Sequence, residues 1–191
     1  GVGLDFGLVQ NTIDGNFTAP DGTANDPAIP QSSVSGSSFD MGGGLYYNSE
    51  KLYIGISSTH LLESEIDLDK FTKTYDRHYY GMIGYNWEVT PNVTLKPMLF
   101  VKNVTDNTTI DVNVNAHFNN KFWAGLSWRN DDAIVGMLGL TLLENLRLGY
   151  SYDFTTSELK DYSDGTHEIM LGYCFNVKKR VPVSIRNVRF L

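Results

Sequence analysis

The residues with the widest chemical repertoire in this 191-residue chain are four histidines and a single cysteine. The histidines are His60, His78, His117 and His167, and the cysteine is Cys174. No two histidines have the spacing of paired metal ligands, and one cysteine forms neither an intramolecular disulfide nor a multi-cysteine metal site. General acid–base catalysis needs a partner group held beside the histidine, and the sequence identifies no such pair. We therefore predict no catalytic residue, no metal site and no cofactor.

A serine hydrolase remains an alternative at this point. It would need a serine, a histidine and an acidic side chain converging in space. The local sequence offers only His60, which closely follows Ser57 and Ser58. We give this alternative less weight than a non-enzymatic protein.

Other polar residues occur at every second position of several segments of the chain. In residues 109–118, the apolar side chains of Ile110, Val112 and Val114 alternate with polar ones. Such period-two alternation is typical of a strand with one apolar face. The polar phase contains seven candidate lumen residues: Asp111, Asn113, His117, Arg129, Arg147, Asp153 and Glu168. They predict a charged lumen that holds a plug or a solute path, although lipid would also keep charges inward without any further role.

The same alternation recurs along the whole chain. It is visible in residues 2–8, 39–47, 52–57, 79–87, 93–101, 122–129, 146–154 and 167–175, whereas 133–142 is apolar on both faces. About ten strands result, each near the length that a tilted strand needs to cross a bilayer. We predict an all-β fold, an antiparallel up-and-down transmembrane β-barrel over residues 1–176.

Short and long connections alternate between these segments. Residues 48–50, 90–92, 119–121 and 144–145 are short turns, and between them lie 11–37, 61–76, 103–108, 130–132 and 155–166. Bacterial barrels have short periplasmic turns and longer extracellular loops, which assigns a side to each connection. Aromatic residues also cluster near both predicted ends, as in interfacial girdles. The alternative is a soluble lipocalin-like barrel whose apolar faces point inward.

Composition limits the partners. A net charge of -7 argues against nucleic acid, and no apolar stretch is long enough for a transmembrane helix. Residues 177–191 form a separate basic tail carrying Lys178, Lys179, Arg180, Arg186 and Arg189. We interpret this tail as a periplasmic contact arm for an acidic partner; the alternative is a solvated terminus folded back on the rim.

Several motifs resemble one known family. They are Gly-Leu-Ser-Trp-Arg-Asn-Asp-Asp-Ala at 125–133, Leu-Gly-Tyr-Ser-Tyr-Asp at 148–153, and the run from Ser163 to Tyr173. In their order, and with the ending at 186–191, they are similar to the PorP/SprF family of Bacteroidetes outer-membrane proteins, linked to type IX secretion and gliding motility. Residues 43–47 and 53–57 fit its middle portion.

The resemblance implies a location and a role. It implies a bacterial outer-membrane protein in contact with membrane lipids, with an accessory, non-enzymatic role in type IX secretion. Periplasmic secretion-system lipoproteins and secreted or surface adhesin cargo would be its partners. A passive porin is the alternative. Family members are longer at the N-terminus, and Gly1 already lies in a strand-like pattern, so we expect the visible strands to be the C-terminal part of a larger barrel.

Overall fold

The structure is a computed structural model that describes residues 1–15, 32–69, 72–142 and 145–175. Its strands are β1 (Val2–Ile13), β2 (Val34–Asn48), β3 (Leu52–Thr59), β4 (Glu65–Asp67), β5 (Thr72–Thr74), β6 (His78–Tyr85), β7 (Trp87–Thr90), β8 (Val93–Val104), β9 (Asn107–Phe118), β10 (Phe122–Arg129), β11 (Ala133–Leu142), β12 (Leu146–Thr155) and β13 (Thr166–Tyr173). A short 3-10 helix, Glu158–Asp161, precedes the last strand. Among these residues no helix has the length and apolar character needed to cross a bilayer.

Eleven of the strands form one large antiparallel sheet, and ten of them lie along a single path. Its order is β1-β2-β3-β6-β8-β9-β10-β11-β12-β13, with β7 paired to β8 beside that path and β4-β5 forming a separate two-stranded sheet. Every pairing is antiparallel. Strands of the main path therefore run up and down in chain order, with only the small β4, β5 and β7 off it. The predicted all-β, antiparallel, up-and-down fold of about ten strands is confirmed.

The sheet has two edges in the described part of the chain. Each of β1 and β13 has a neighbour on one side only. The sheet is thus not closed there, and its size and pairing are consistent with a β-barrel-like fold. Because ten strands alternate in direction along the path, β1 and β13 run antiparallel to each other.

The two faces of the sheet differ sharply. The outer face carries the apolar phase, and side chains such as Leu126 (65% exposed) and Leu138 (61% exposed) have no cover. The opposite face, which we call the inner face, carries the polar phase, and Asn113 on it is only 6% exposed. A soluble lipocalin-like barrel would bury the apolar face instead. An extensive uncovered apolar face of this kind marks a membrane or protein contact.

The two ends of the sheet differ in the length of the connections that they carry. We call the end that carries the turns at 49–51 and 119–121 the short-turn end, and the opposite end the long-loop end.

One connection is shorter than predicted: β8 continues to Val104 and β9 starts at Asn107, so only Thr105 and Asp106 make the turn. The side-chain amide of Asn103 donates to Thr108 Oγ1 at 2.9 Å and ties the strand ends together. Part of the predicted 11–37 loop, residues 16–31, lies outside the described residues.

Candidate functional site

All seven candidate lumen residues lie on the inner face. Cross-strand register places Asp111 opposite Arg129 and Asn113 opposite Ser127, and it continues across β11 to β12 and β13 in the same phase. The structure separates them into groups, because the strands carry them at different heights. The group at the long-loop end contains Asp111, Arg129 and Asp153; the group at the short-turn end contains His117 and Arg147. Asn113 lies between them on β9, and Glu168 lies opposite Ser151 on β12.

An ionic cluster centres on Arg129 at the long-loop end. Its Nε lies 2.9 Å from Asp111 Oδ1, and its Nη1 lies 2.9 Å from Asp132 Oδ2. Asp153 Oδ2 is 4.0 Å away from the same Nη1. One guanidinium therefore links β9, the β10–β11 turn and β12. The sequence indicated Asp111, Arg129 and Asp153, but it missed Asp132, which lies in a turn outside the alternating pattern.

A cleft of about 1090 Å³ opens beside this cluster. Asp111 and Arg129 form one side of it, Lys102 lies on β8, and residues 156–159 contribute from the connection before β13. The cleft thus combines both signs of charge with hydroxyl and amide groups at the long-loop end. Such a surface can hydrogen-bond a polypeptide segment, because backbone and side-chain polar groups find partners of either kind.

The described residues of 60–69 and 72–77, which we call the inward segment, fold over the inner face. They include the β4-β5 hairpin, where Ile66 and Leu68 are each 1% exposed. A Cβ atom at Gly36, on the inner face of β2, would collide with Ile66 Cγ2 and approach Leu68 Cδ2 at 3.5 Å. Glycine at position 36 therefore leaves the space that the two apolar side chains fill. The predicted long connection at 61–76 contains a short hairpin that the sequence analysis did not predict.

Hydrogen bonds hold the inward segment in place. His60 Nδ1 lies 2.7 Å from Asp40 Oδ2, and the Ser64 hydroxyl donates to the carbonyl of Phe39 at 2.5 Å. The Asn11 amide donates to the Tyr75 hydroxyl at 2.7 Å. These contacts attach the segment to β1 and β2, so it is part of the packed structure.

Arg77, the last residue of the inward segment, bonds to residues near the start of the segment. Its Nη2 donates to the carbonyl of Leu61 at 2.8 Å and to Glu63 Oε2 at 3.3 Å. The hydrogen bond that Arg77 Nη1 donates to the Tyr79 hydroxyl raises the pKa of Arg77. Arg77 thereby ties the two ends of the segment to each other.

An aromatic row continues from the inward segment along the inner face. The ring of His60 lies 5.3 Å from that of Tyr75 and 5.2 Å from that of His78. Tyr80 follows at 6.1 Å from His78, and Phe100 at 6.1 Å from Tyr80. The row packs the segment against β6 and β8. Alternation can place only His78 and Tyr80 on one face, since they are two residues apart in β6. The other contacts join residues far apart in the chain, which alternation cannot predict.

The structure places an acidic side chain, but no serine nucleophile, beside His60 in the described part of the chain. Asp40 orients His60 as the acid of a triad would. In the described part of the chain, however, neither His60 nitrogen is hydrogen-bonded to a serine, and the register places Ser57 and Ser58 on opposite faces of β3. Nor does any group of three or more His, Cys, Asp or Glu residues there have an arrangement that could hold a metal ion.

A basic cluster occupies the short-turn end of the inner face. It consists of Lys96 on β8, His117 on β9 and Arg147 on β12, all on the inner face. The indole of Trp123 stacks near His117, with ring centroids 6.2 Å apart and an interplanar angle of 21°. The candidate periplasmic contacts follow β13 in sequence and lie outside the described residues; they are Lys178, Lys179, Arg180, Arg186 and Arg189.

The fold and the two faces define a class: an antiparallel β membrane protein with an apolar outer face and a polar, partly filled inner face. A family model described as "Type IX secretion system membrane protein PorP/SprF" matches residues 1–173. The chain belongs to the PorP/SprF family, and it is a membrane component of the type IX secretion system. No curated protein and no solved structure matches it.

Proposed function

We propose that this protein is a non-enzymatic outer-membrane component of type IX secretion that binds secreted or surface adhesin cargo at its long-loop end. Periplasmic partners, including secretion-system lipoproteins, would bind at the short-turn end and at the basic tail, residues 177–191. In this orientation the long-loop end faces outward, as the loop lengths predict. Membrane lipid would cover the apolar outer face.

The observation that carries this proposal is the inward segment. Its buried Ile66 and Leu68 and its bonds to β1 and β2 cover the β1–β2 part of the long-loop end of the inner face with packed polypeptide. A passive porin needs a water-filled path there, whereas a protein that docks cargo needs a defined surface. The polar cleft beside Arg129 supplies such a surface. We therefore favour cargo binding over the alternative of a solute channel.

Closure of the barrel is part of the proposal. In lipid, the unpaired backbone groups along β1 and β13 would each cost several kcal/mol, so both edges must be paired. Since these two strands run antiparallel, they pair directly or through an even number of further strands. The second case would correspond to the larger barrel that the resemblance implies.

The test is recovery of partners from native membranes. Affinity-tagged full-length protein would be purified in mild detergent, and bound proteins identified by mass spectrometry. We expect secretion-system lipoproteins and exported adhesins, and we expect removal of residues 177–191 to weaken recovery of the periplasmic set alone. Unchanged recovery would reject the tail as a contact arm. Stable ion conductance in planar bilayers, with no captured partner, would favour the porin.

A further inference from the structure

One part of the inner face is aromatic and apolar. Tyr46 on β2, Met82 on β6 and Phe100 on β8 share a single register row, which passes through Gly55 on β3. Tyr80, two residues before Met82, stacks near Phe100, with ring centroids 6.1 Å apart and an interplanar angle of 27°. In a membrane protein of this fold, lipid covers the opposite, apolar face of the sheet. Lipid is therefore not the partner of these side chains.

A pocket of about 450 Å³ lies among these side chains. Its lining includes four large side chains and two glycines, which are Tyr46, Tyr80, Met82, Phe100, Gly3 and Gly55. A Cβ atom at Gly55 would lie 3.3 Å from Tyr46 Cδ2 and 2.9 Å from Met82 Cγ, so both side chains lean over this glycine. A Cβ atom at Gly3, on β1, would have no neighbour within 4 Å. The pocket thus has apolar walls and an open floor at Gly3.

The pocket lies on the same register row as the Arg129 cluster. From Phe100 the row continues to Asp111 on β9 and to Arg129 on β10. Phe100 also lines the polar cleft of about 1090 Å³, so it belongs to the walls of both cavities. From Tyr46 to Arg129 the row crosses five strand steps, which is about 24 Å at about 4.8 Å per step. An extended peptide of about seven residues, at about 3.3 Å per residue, covers this distance.

The chemistry of the row fits a polypeptide better than a small molecule. The pocket is apolar and aromatic, whereas the cleft presents the charged groups of Lys102, Asp111 and Arg129 together with hydroxyl and amide groups. A ligand that occupies both must be polar along one part and carry a large apolar group on the other, as a peptide with an aromatic side chain does. Glycine at positions 3 and 55 lets the backbone of such a peptide approach the sheet closely.

We infer that this row binds an extended segment of the cargo polypeptide, with one aromatic side chain in the pocket and the adjoining polar groups in the cleft beside Arg129. This deepens the proposed function, on which it rests, because it states which feature of the cargo the inner face recognises. Aromatic side chains that fill pockets dominate the affinity of many interfaces. The pocket would therefore select the segment, and the cleft would hold its polar part.

The test is binding of two fluorescein-labelled peptides to the full-length protein in detergent. Each has about ten residues, long enough to span the row, and alternates serine with asparagine around one central residue. That residue is tryptophan in the first peptide and alanine in the second. We expect the wild type to bind the tryptophan peptide at least about tenfold more tightly, because the indole buries its apolar surface in the pocket. Gly3→Val places a side chain on the open floor and should reduce this preference to less than about threefold.

Gly7→Val is the matched control. Gly7 lies on the same face of β1, and a Cβ atom there also has no neighbour within 4 Å, but the residue does not line the pocket. This variant should keep the wild-type preference for tryptophan within about twofold. Valine suits a strand, and circular dichroism would verify that both variants fold. If Gly3→Val does not fold, Gly3→Ala would replace it, with the preference expected to fall by about half.

Each other result identifies a different kind of site. Equal binding of the two peptides, or an unchanged tryptophan preference in the variant at Gly3, would overturn the inference. Displacement of the tryptophan peptide by equimolar N-acetyltryptophanamide would indicate a small-molecule pocket, and displacement by added phospholipid a lipid site; both results would overturn it as well. If cargo is recovered from native membranes while the tryptophan preference is absent, this inference alone is wrong. If no cargo is recovered, the proposed function itself fails.

Discussion

His60 Nδ1 lies 2.7 Å from Asp40 Oδ2, and this contact joins the first residue of the inward segment to the middle of β2. Asp40 belongs to the inner face, opposite Gly7 of β1. The segment that follows β3 is therefore turned toward the inside of the sheet at its first residue. Its apolar pair, Ile66 and Leu68, then packs over Gly36 four residues earlier in β2.

Substitution of Ile66 should open the inward segment without unfolding the sheet. Ile66→Ser removes a fully buried side chain and leaves a polar group without a partner, which we expect to cost about 2–4 kcal/mol of local stability. Hydrogen exchange of peptides from residues 60–77 would rise, while that of β8 to β12 would not. Leu62→Ser is the control, since Leu62 is already exposed. Equal exchange in the two variants would mean that the segment is not packed as described.

Loss of Arg129 should destabilise the protein more than loss of one of its partners. Arg129→Gln leaves Asp111, Asp132 and Asp153 facing one another without a cation, and we expect a cost of about 1–2 kcal/mol. Asp132→Asn, at a more exposed carboxylate, should cost about 0–1 kcal/mol. Urea unfolding in detergent micelles would measure both. A larger effect of Asp132→Asn would contradict the central position of Arg129.

The faces of the sheet were predictable because side chains alternate strictly along a strand. Once residues 109–118 were read with period two, Asp111 and Asn113 had to share a face opposite Val112 and Val114. Register then aligns the same phase in every neighbouring strand. The common face of the seven candidate residues therefore needed no tertiary information.

The inward segment could not be predicted in the same way. Its position depends on a packing contact between Ile66 and Gly36, thirty residues apart, and on a bond from His60 to another strand. Apolar residues at 66 and 68 flanking Asp67 were a local sign of a strand, but two positions are too few to separate a strand from a loop. Asp132 was missed for a similar reason, since a turn has no period.

Arginine on the outer face tests whether that face contacts lipid. Val114 lies mid-strand on β9 and is exposed, so Val114→Arg should cost about 2–4 kcal/mol of stability in a bilayer. Leu159→Arg, at an exposed site of the 3-10 helix outside the sheet, should cost close to nothing. Unfolding titrations in lipid vesicles would give both values. Tolerance of Val114→Arg would argue that this face does not meet the hydrocarbon core.

The close approach of the Trp123 indole to Gly139 predicts opposite responses at two glycines of β11. Gly139 and Gly136 both lie on β11, but a Cβ at Gly139 would collide with the Trp123 indole, whereas a Cβ at Gly136 has open space. Gly139→Val should therefore cost about 1–3 kcal/mol through overpacking and displace the ring, while Gly136→Val should be neutral or slightly stabilising, because valine suits a strand. Unfolding free energies in detergent would measure the difference, and the emission of Trp123, isolated by replacing Trp87 and Trp128 with phenylalanine, would report on the ring. Equal stabilities and an unchanged emission maximum would show that the indole does not lie against Gly139.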